Sequence, residues 1–555
     1  MNLSIYFIII FTVVHRNLFG AWTNVTRIIS VSMTKILTTT LVGLLITSMV
    51  LSSSGWAYSP SDPGYDTKTP IKHVVVIFQE NISYDHYFGM YPNAPGFTAK
   101  SHTPTSDNYV AHPNLLSTGP GNNPNLIAPF LLRNAVTCDQ DHDYLPEQLA
   151  VDGGLMDKFV QNTEGSSTTQ FCIPGTVMGY YDGQNATVQW NLAQNFAMSD
   201  RSFDTVFGPS TPGAVTLVSG QTFGASEDAV GGGAAISDTD PYYDDCHSTS
   251  ENWIQMSGKN IGDILNDKGI TWGWFQGGFA PSTPYSPGHP AVCGKKTNTL
   301  LTGSQTAYSA HHEPFEYYNS TANPHHLPPT SISMIGQTDQ ANHQYDVSYF
   351  WQSVNAGNLP QVTFLKAPKG EDGHASYSDP VDEGQFLANV TNTIQKSSYW
   401  PDTAVFVLWD DSDGWYDHVV PPIVNHSNDP LNDYAPTCGS KDPNEHNLGL
   451  GTADDRCGYG QRLPFLVISP YAKSNYISHT ITDQTSPLKF IEDNWQTGGI
   501  PDTLGQRSYD QIAGSVDDMF DFSNHGNTPQ VCISPTTGQI VTPFSACPNV
   551  ELSGY

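Results

Sequence analysis

The chain has 555 residues, 38% hydrophobic and 14% charged, which is ample for a large core and by length alone allows roughly two to four domains. Lys and Arg number 22 against 53 Asp and Glu, a formal net charge of −31. A field of that sign repels nucleic acid and anionic membrane surfaces, so an anionic substrate has to be drawn in by local positive charge, from a metal or protonated histidine.

Residues 34–57 carry Lys35, an apolar centre and small residues before Ala57, the pattern of a secretion signal cleaved near Ala57. The apolar centre is short for a membrane span. Met33 is a natural start, which makes residues 1–32 an upstream extension. The expected organisation is extension and signal over 1–57, a Pro/Ser/Asp-rich linker over 58–70, one large domain over 71–530 and a disulfide-tied tail over 531–555. The product is expected to be secreted or held at the cell surface. All eight cysteines follow the signal, and an even count in an exported chain implies disulfides, with sequence neighbours as the simplest pairing. No Cys-x-x-Cys occurs, which disfavours a zinc ribbon. Sequons at Asn185, Asn319, Asn389 and Asn425 are candidate glycan sites, whereas the one at Asn81 is closed if that residue is a buried ligand.

The first buried run, Val74 to Phe78, is β-branched and aromatic without alternation, as in a strand covered on both faces of a parallel sheet. It ends in Glu80-Asn81. Ligands in open α/β sheets sit outside the carboxyl ends of strands, and a carboxylate beside an amide offers two hard oxygen donors to a divalent cation. The bland alternative is that Glu80 only caps the strand. Residues 90–134 are rich in Pro, Asn and Gly and read as long loops. His142 follows in an acidic loop, residues 147–160 are partly helical, and residues 187–198 carry apolar side chains at helical spacing. Phe207 to Gly213 is a turn, with a helix over Ala214–Gly220 that places Ser210 near its N-terminus, where backbone N–H groups favour an anion.

Ile261–Lys268 reads as helix and Ile270–Phe275 as strand, and His311-His312 closes a polar loop. Strands are expected at Val362–Leu365 and Leu463–Ser469, with a helix over Glu383–Lys396 after His374. Thr403–Trp409 is a second buried run, and it too ends in acid, Asp410-Asp411. Two such strands can converge on one metal. The Asp411-Ser-Asp413-Gly414 loop fails the EF-hand pattern, since Trp409 stands two before Asp411 and no Glu closes it, so Asp413 and Asp417 read as local supporting residues. The alternation of strand and helix predicts one doubly wound α/β domain with long insertions.

Glu80-Asn-Ile-Ser-Tyr-Asp-His-Tyr-Phe-Gly89, Gly208-Pro-Ser-Thr-Pro212, His311-His312-x-Pro-Phe315, Gly373-His374 and Trp409-Asp-Asp-x-x-Gly-Trp-Tyr-Asp-His418 resemble, in order and spacing, the bacterial phospholipase C and acid phosphatase phosphoesterase family. Arg507-Ser-Tyr-Asp510 and Asp517 to Phe522 are similar to its closing segment, and the extra C-terminal modules of some phospholipases are not expected here. The resemblance implies an alkaline-phosphatase-like three-layer α/β/α fold with a mostly parallel central sheet. It implies a metal-assisted hydroxyl attacking phosphorus through a covalent phospho-serine. Carried over by position, Glu80, Asn81, Asp410 and Asp411 hold one divalent ion (Ca, Mg, Mn or Zn), Ser210 is the nucleophile, and His142, His311, His312 and His374 surround the phosphate.

One departure is Gly213 with Ala214 behind it, where members of the family place Ser or Thr ahead of a substrate-contacting Asn; it bears on the pocket and on whether Ser210 or Thr211 attacks. The implied substrate is a phosphate ester. A phospholipase C type diesterase leads, an acid phosphatase on monoesters is the first alternative, and an inactive cell-surface binding protein is the second. Retention of every implied ligand argues against the last. A sulfatase is disfavoured because no Cys-x-Pro-x-Arg site occurs. No stable protein partner is implied. Glu80, Asp410 and Asp411 bring three negative charges, one divalent ion returns two positive, and a diester adds one negative, so some histidines are expected to be protonated, with an acidic to neutral optimum.

Overall fold

The computed structural model describes residues 66–118, 125–165, 172–226, 233–250, 252–439 and 454–550. The expected signal, the extension before it and most of the linker lie outside them.

The main sheet has nine strands: β1 His73–Gln79, β2 Ala197–Phe203, β3 Trp272–Gln276, β4 Gln344–Asp346, β5 Val362–Lys366, β6 Thr403–Trp409, β7 Arg462–Ile468, β8 Tyr476–Ser478 and β9 Thr482–Asp483. Their order is β4-β3-β5-β1-β6-β7-β2-β8, with β9 also on β2. β7 runs antiparallel to β6 and β2, and the other pairings are parallel. Every residue of β1, β6 and β7 is buried, so both faces of the middle of the sheet are covered. The unalternating Val, Ile and Phe of these strands follow from that double burial, each fully buried side chain contributing roughly 1.5–3 kcal/mol. The mixed, mostly parallel sheet with its helices is the α/β architecture expected above.

Eight helices matter for the site and its frame: α1 Tyr84–Phe88, α2 Tyr144–Val151, α3 Thr187–Asn195, α4 Ser210–Ser219, α5 Ile261–Lys268, α6 Ser348–Ala356, α7 Pro380–Lys396 and α8 Ser486–Trp495. α3 and α7 pack together, with Gln189 Nε2 donating to Glu383 Oε2 at 2.8 Å and to Pro380 O at 3.0 Å. α4 packs against α5 and α8. α7 begins with Asp379, whose carboxylate accepts from the N–H groups of Val381 and Asp382, and with Pro380 at its first position, where no N–H is needed. Among the described residues, no helix is long and apolar enough to cross a membrane.

The cysteines pair as sequence neighbours: Cys138–Cys172, Cys246–Cys293, Cys438–Cys457 and Cys532–Cys547. The last anchors a C-terminal segment that docks on α7 through Asn392 and Gln395, each exchanging hydrogen bonds with backbone at Ile533 and Val531. Two sequons are corrected: Asn389 is buried within α7, and Asn425 is buried with its amide donating to Arg456 O at 2.7 Å, so neither presents its side chain to a glycan.

Candidate active site

The register of β1 against β6 pairs Gln79 with Trp409, so the next residues, Glu80 and Asp410, leave neighbouring parallel strands at the same level. Both carboxyl ends then turn. Asp410 N donates to Gln79 O at 3.1 Å, Glu80 N to Asp372 O at 2.8 Å and Ile82 N to Asp411 O at 2.9 Å. Asn81 is held at φ +22°, an uncommon value for a residue with a side chain. These bonds hold Glu80, Asn81, Asp410 and Asp411 at the adjoining carboxyl ends of β1 and β6.

Ser210 is the first residue of α4, which starts four residues earlier than the sequence predicts. Its Oγ lies 3.2 Å from Glu80 Oε2 and 3.2 Å from Asp411 Oδ2. The neighbouring Thr211 turns away, with its N–H and hydroxyl on Asp238 Oδ1 at 3.1 and 3.4 Å, so the hydroxyl facing the carboxylates is that of Ser210. Gly213 is explained by the same packing: a Cβ there would stand 2.1 Å from the carbonyl oxygen of Asp410. The helix therefore meets the end of β6 where only glycine fits.

The carboxylates divide their oxygens. Glu80 Oε2 and Asp411 Oδ2 face the serine. Asp411 Oδ1 accepts from Asp413 N at 2.6 Å, and Asp410 Oδ1 accepts from Asn81 N at 3.3 Å and Asp411 N at 3.0 Å. Glu80 Oε1 meets the Lys366 ammonium and lies 3.1 Å from His312 Nδ1, and Lys366 also donates to Asp410 Oδ2 at 3.3 Å. Asn81 Oδ1 is buried with no hydrogen-bond partner. Oxygen donors that include an orphaned buried amide oxygen suit a hard divalent cation. Burial and then Glu80 push Asp410 up to about 7 despite Lys366, as expected where carboxylates outnumber the cations of the chain itself. The residues present fit a metal.

The histidines fall into two electrostatic classes. His142 directs Nδ1 to Gln140 O at 2.9 Å, with Asp413 Oδ1 at 3.3 Å, which leaves Nε2 facing the Asn81 amide at 3.3 Å. Burial disfavours its charge, but Asp411, Asp413 and Asp139 outweigh burial and hold its pKa well above the usual imidazole range. His311 stands 3.5 Å from Asp240 and 4.0 Å from Asp238, and these carboxylates overcome burial to push it up to about 9. His312 is held well below the usual range, first by burial and then by the positive charges of His311 and Lys366. His374 gives Nδ1–H to Ala375 O at 2.6 Å, lies 5.9 Å from His142 between ring centroids, and is lowered by burial to about 4. The surroundings thus favour the charged form at His142 and His311 and the neutral form at His312 and His374.

Glu80, Asp410, Asp411 and Ser210 are linked by direct contacts, His312 joins them through Glu80 and His142 through Asn81, His374 lies beside His142, and His311 is reached through Asp238 and Thr211. Lys366, Glu147 and Asp238 were not singled out. Lys366 carried a usable signal, a charged residue closing a buried strand just as Glu80 and Asp410 do. Glu147, on α2, accepts from Gly208 N at 2.9 Å and from the Ser412 hydroxyl, and so ties the turn before Ser210 to the loop after Asp411. Its sequence neighbours give no hint of that bridge. Asp413 is fully buried and touches His142, a more direct part than the local turn expected of it. Asp417 pairs instead with Arg462, 3.1 Å away, in a separate buried cluster with Asp85.

The family model described as the Phosphoesterase family matches residues 71–498. A non-hemolytic phospholipase C of Pseudomonas aeruginosa is 24% identical over 493 residues, covering 87% of this chain and 62% of that one. A phospholipase C A of Mycobacterium tuberculosis is 23% identical over 497 residues, covering 87% and 84%. The chain thus spans about three-fifths of the length of the first of these relatives. Among solved structures, a protein in the alkaline phosphatase superfamily from Vibrio parahaemolyticus is 11% identical over 82% of this chain and 75% of that one, with a TM-score of 0.29.

Proposed function

The chain belongs to the Phosphoesterase family, and from that premise we propose that it is an exported, metal-dependent phosphodiesterase of phospholipase C type that works through a covalent phospho-serine at Ser210. The observation that carries this is the Ser210 hydroxyl held 3.2 Å from each of two buried carboxylate oxygens at the start of α4. Glu80, Asn81, Asp410 and Asp411 are the residues that would hold a divalent ion. When bound, the ion would lower the pKa of the serine hydroxyl and neutralise charge on the phosphoryl oxygens.

Ser210 Oγ forms a bond to phosphorus as the bond to the alcohol oxygen breaks, and its proton is released to water. The departing oxygen takes a proton from the His142 imidazolium, whose Nε2 faces the site. Water then attacks phosphorus, its proton returns to His142, and the Ser210–phosphorus bond breaks, with Ser210 recovering its proton. His311, one step away through Asp238 and Thr211, keeps a positive charge near the anion. His312 orients Glu80.

Turnover of p-nitrophenylphosphorylcholine against p-nitrophenyl phosphate, with and without chelator, tests the proposal. Diester preference abolished by chelator supports it, monoester preference moves it to an acid phosphatase, and no turnover of either sinks the enzyme reading. A pH profile tests the part given to His311. Its pKa is raised, so its charge is complete at neutral pH and lost as pH rises through about 9. The activity of the wild type is expected to fall above that pH, and His311→Gln to show a lower plateau whose alkaline fall is shifted, with only the limb set by the His142 imidazolium remaining. An alkaline limb unchanged in His311→Gln would remove His311 from this role.

A further inference from the structure

Lys366 closes β5 with 1% of its side chain exposed, its ammonium against Glu80 Oε1, 3.3 Å from Asp410 Oδ2 and 5.3 Å from the centroid of the Phe78 ring. An ammonium is strongly disfavoured in such a place unless paired and hydrogen-bonded. The oxygens it holds are not those that meet the serine. Glu80 presents Oε1 to Lys366 and Oε2 to Ser210, while Asp411 presents Oδ2 to Ser210. Lys366 therefore grips the backs of two carboxylates whose neighbours face the reacting hydroxyl.

Charge bookkeeping gives that grip a second consequence. With all three ionised, Glu80, Asp410 and Asp411 bring three negative charges and Lys366 one positive, which leaves the charge that one divalent ion cancels. Without Lys366, the three carboxylates and one divalent ion leave a negative charge that His142 and His311 alone have to offset before an anionic substrate. The sequence-level balance, which lacked this lysine, asked the histidines alone to correct the excess.

Resting on the metal-dependent reading above, we propose that Lys366 is a positioning residue that acts through Glu80 and Asp410, a resident cation that orients both carboxylates and sets the residual charge of the site for a single divalent ion. In the metal-free protein it keeps the buried carboxylates from repelling one another. With metal bound it remains behind them, weakening the ion's hold while leaving the front of the site neutral for the phosphate.

The test compares wild type, Lys366→Met, Lys366→Arg and Glu80→Gln/Lys366→Met, each stripped with chelator and titrated with Mn²⁺ by calorimetry alongside thermal melting. Stripped Lys366→Met is expected to melt below wild type and to bind Mn²⁺ about tenfold or more tightly, because a positive charge near the ion is gone. Lys366→Arg is expected to bind Mn²⁺ as wild type does. If stripped Lys366→Met does not fold, the double variant carries the test, and its recovery of a cooperative melt supports the pairing. Lys366→Met with the wild-type midpoint and affinity, or a double variant that fails to recover, overturns the proposal. If no variant binds Mn²⁺, Mg²⁺, Ca²⁺ or Zn²⁺ the metal-dependent reading fails; a lowered Lys366→Met midpoint then leaves only the ion pair standing, without its role toward a metal.

Discussion

Ser210→Ala is expected to abolish turnover, by about 10⁴-fold or more, while leaving the protein folded. Removing a nucleophile leaves only the background that binding and electrostatics supply. The structure says why the fold survives. The hydroxyl is a single small group on the first turn of α4, and that turn is held by other contacts: Glu147 on Gly208, Asp238 on Thr211, and Gly213 against the carbonyl of Asp410. A change in stability within about 1 kcal/mol is expected for one exchanged hydrogen bond. Thr211 cannot substitute, because its hydroxyl faces Asp238, Thr239 and Tyr317. Activity of Ser210→Ala within tenfold of wild type would show that another group attacks.

Asp411→Asn is expected to cost turnover at least about a hundredfold while stabilising the metal-free protein, two effects of opposite sign from one charge. The Oδ1 of Asp411 accepts from Asp413 N at 2.6 Å, so an asparagine keeps its oxygen there and turns its NH₂ toward Ser210. A donor then stands where an oxygen ligand for a cation stood, and losses of that size follow even from disturbing the partners of a ligand. Burial holds the Asp411 pKa well above the usual carboxylate range, so a neutral side chain relieves strain in the stripped protein. By linkage, a group raised in this way opposes folding above its unfolded pKa, and the penalty fades as pH falls and the group protonates. Thermal melts of the stripped proteins at neutral pH, with Mn²⁺ titration and turnover assays, check both halves. Turnover near the wild-type level would exclude Asp411 from the site.

How much was legible follows from what each segment buries. β1 and β6 are apolar throughout and covered on both faces, so their runs and the acids that end them stand out in the sequence. β2 was hidden. Its Ser199, Asp200, Arg201 and Ser202 form no apolar run, so no strand is expected there, yet Asp200 is buried, accepting from Asp107 N at 2.8 Å and lying 2.7 Å from His479. Such a strand is stabilised by partners distant in the chain, which no local periodicity records. The same holds at the site. Ser210, Glu80 and Asp411 lie in motifs, whereas the grip of Lys366 on Glu80 and the bridge made by Glu147 join residues far apart in sequence. The directions of the histidine pKa shifts were also out of reach, since His311 and His312 are adjacent yet shift oppositely according to which carboxylates or cations each meets.

The most direct test of the account is rapid-quench mass spectrometry of the peptide containing Ser210 during turnover of p-nitrophenylphosphorylcholine. The expected result is a transient phosphocholine adduct on Ser210, formed as p-nitrophenol is released and absent from both chelated protein and Ser210→Ala. Sustained turnover with no adduct on Ser210 at any quench time, and with Ser210→Ala still active, would contradict it.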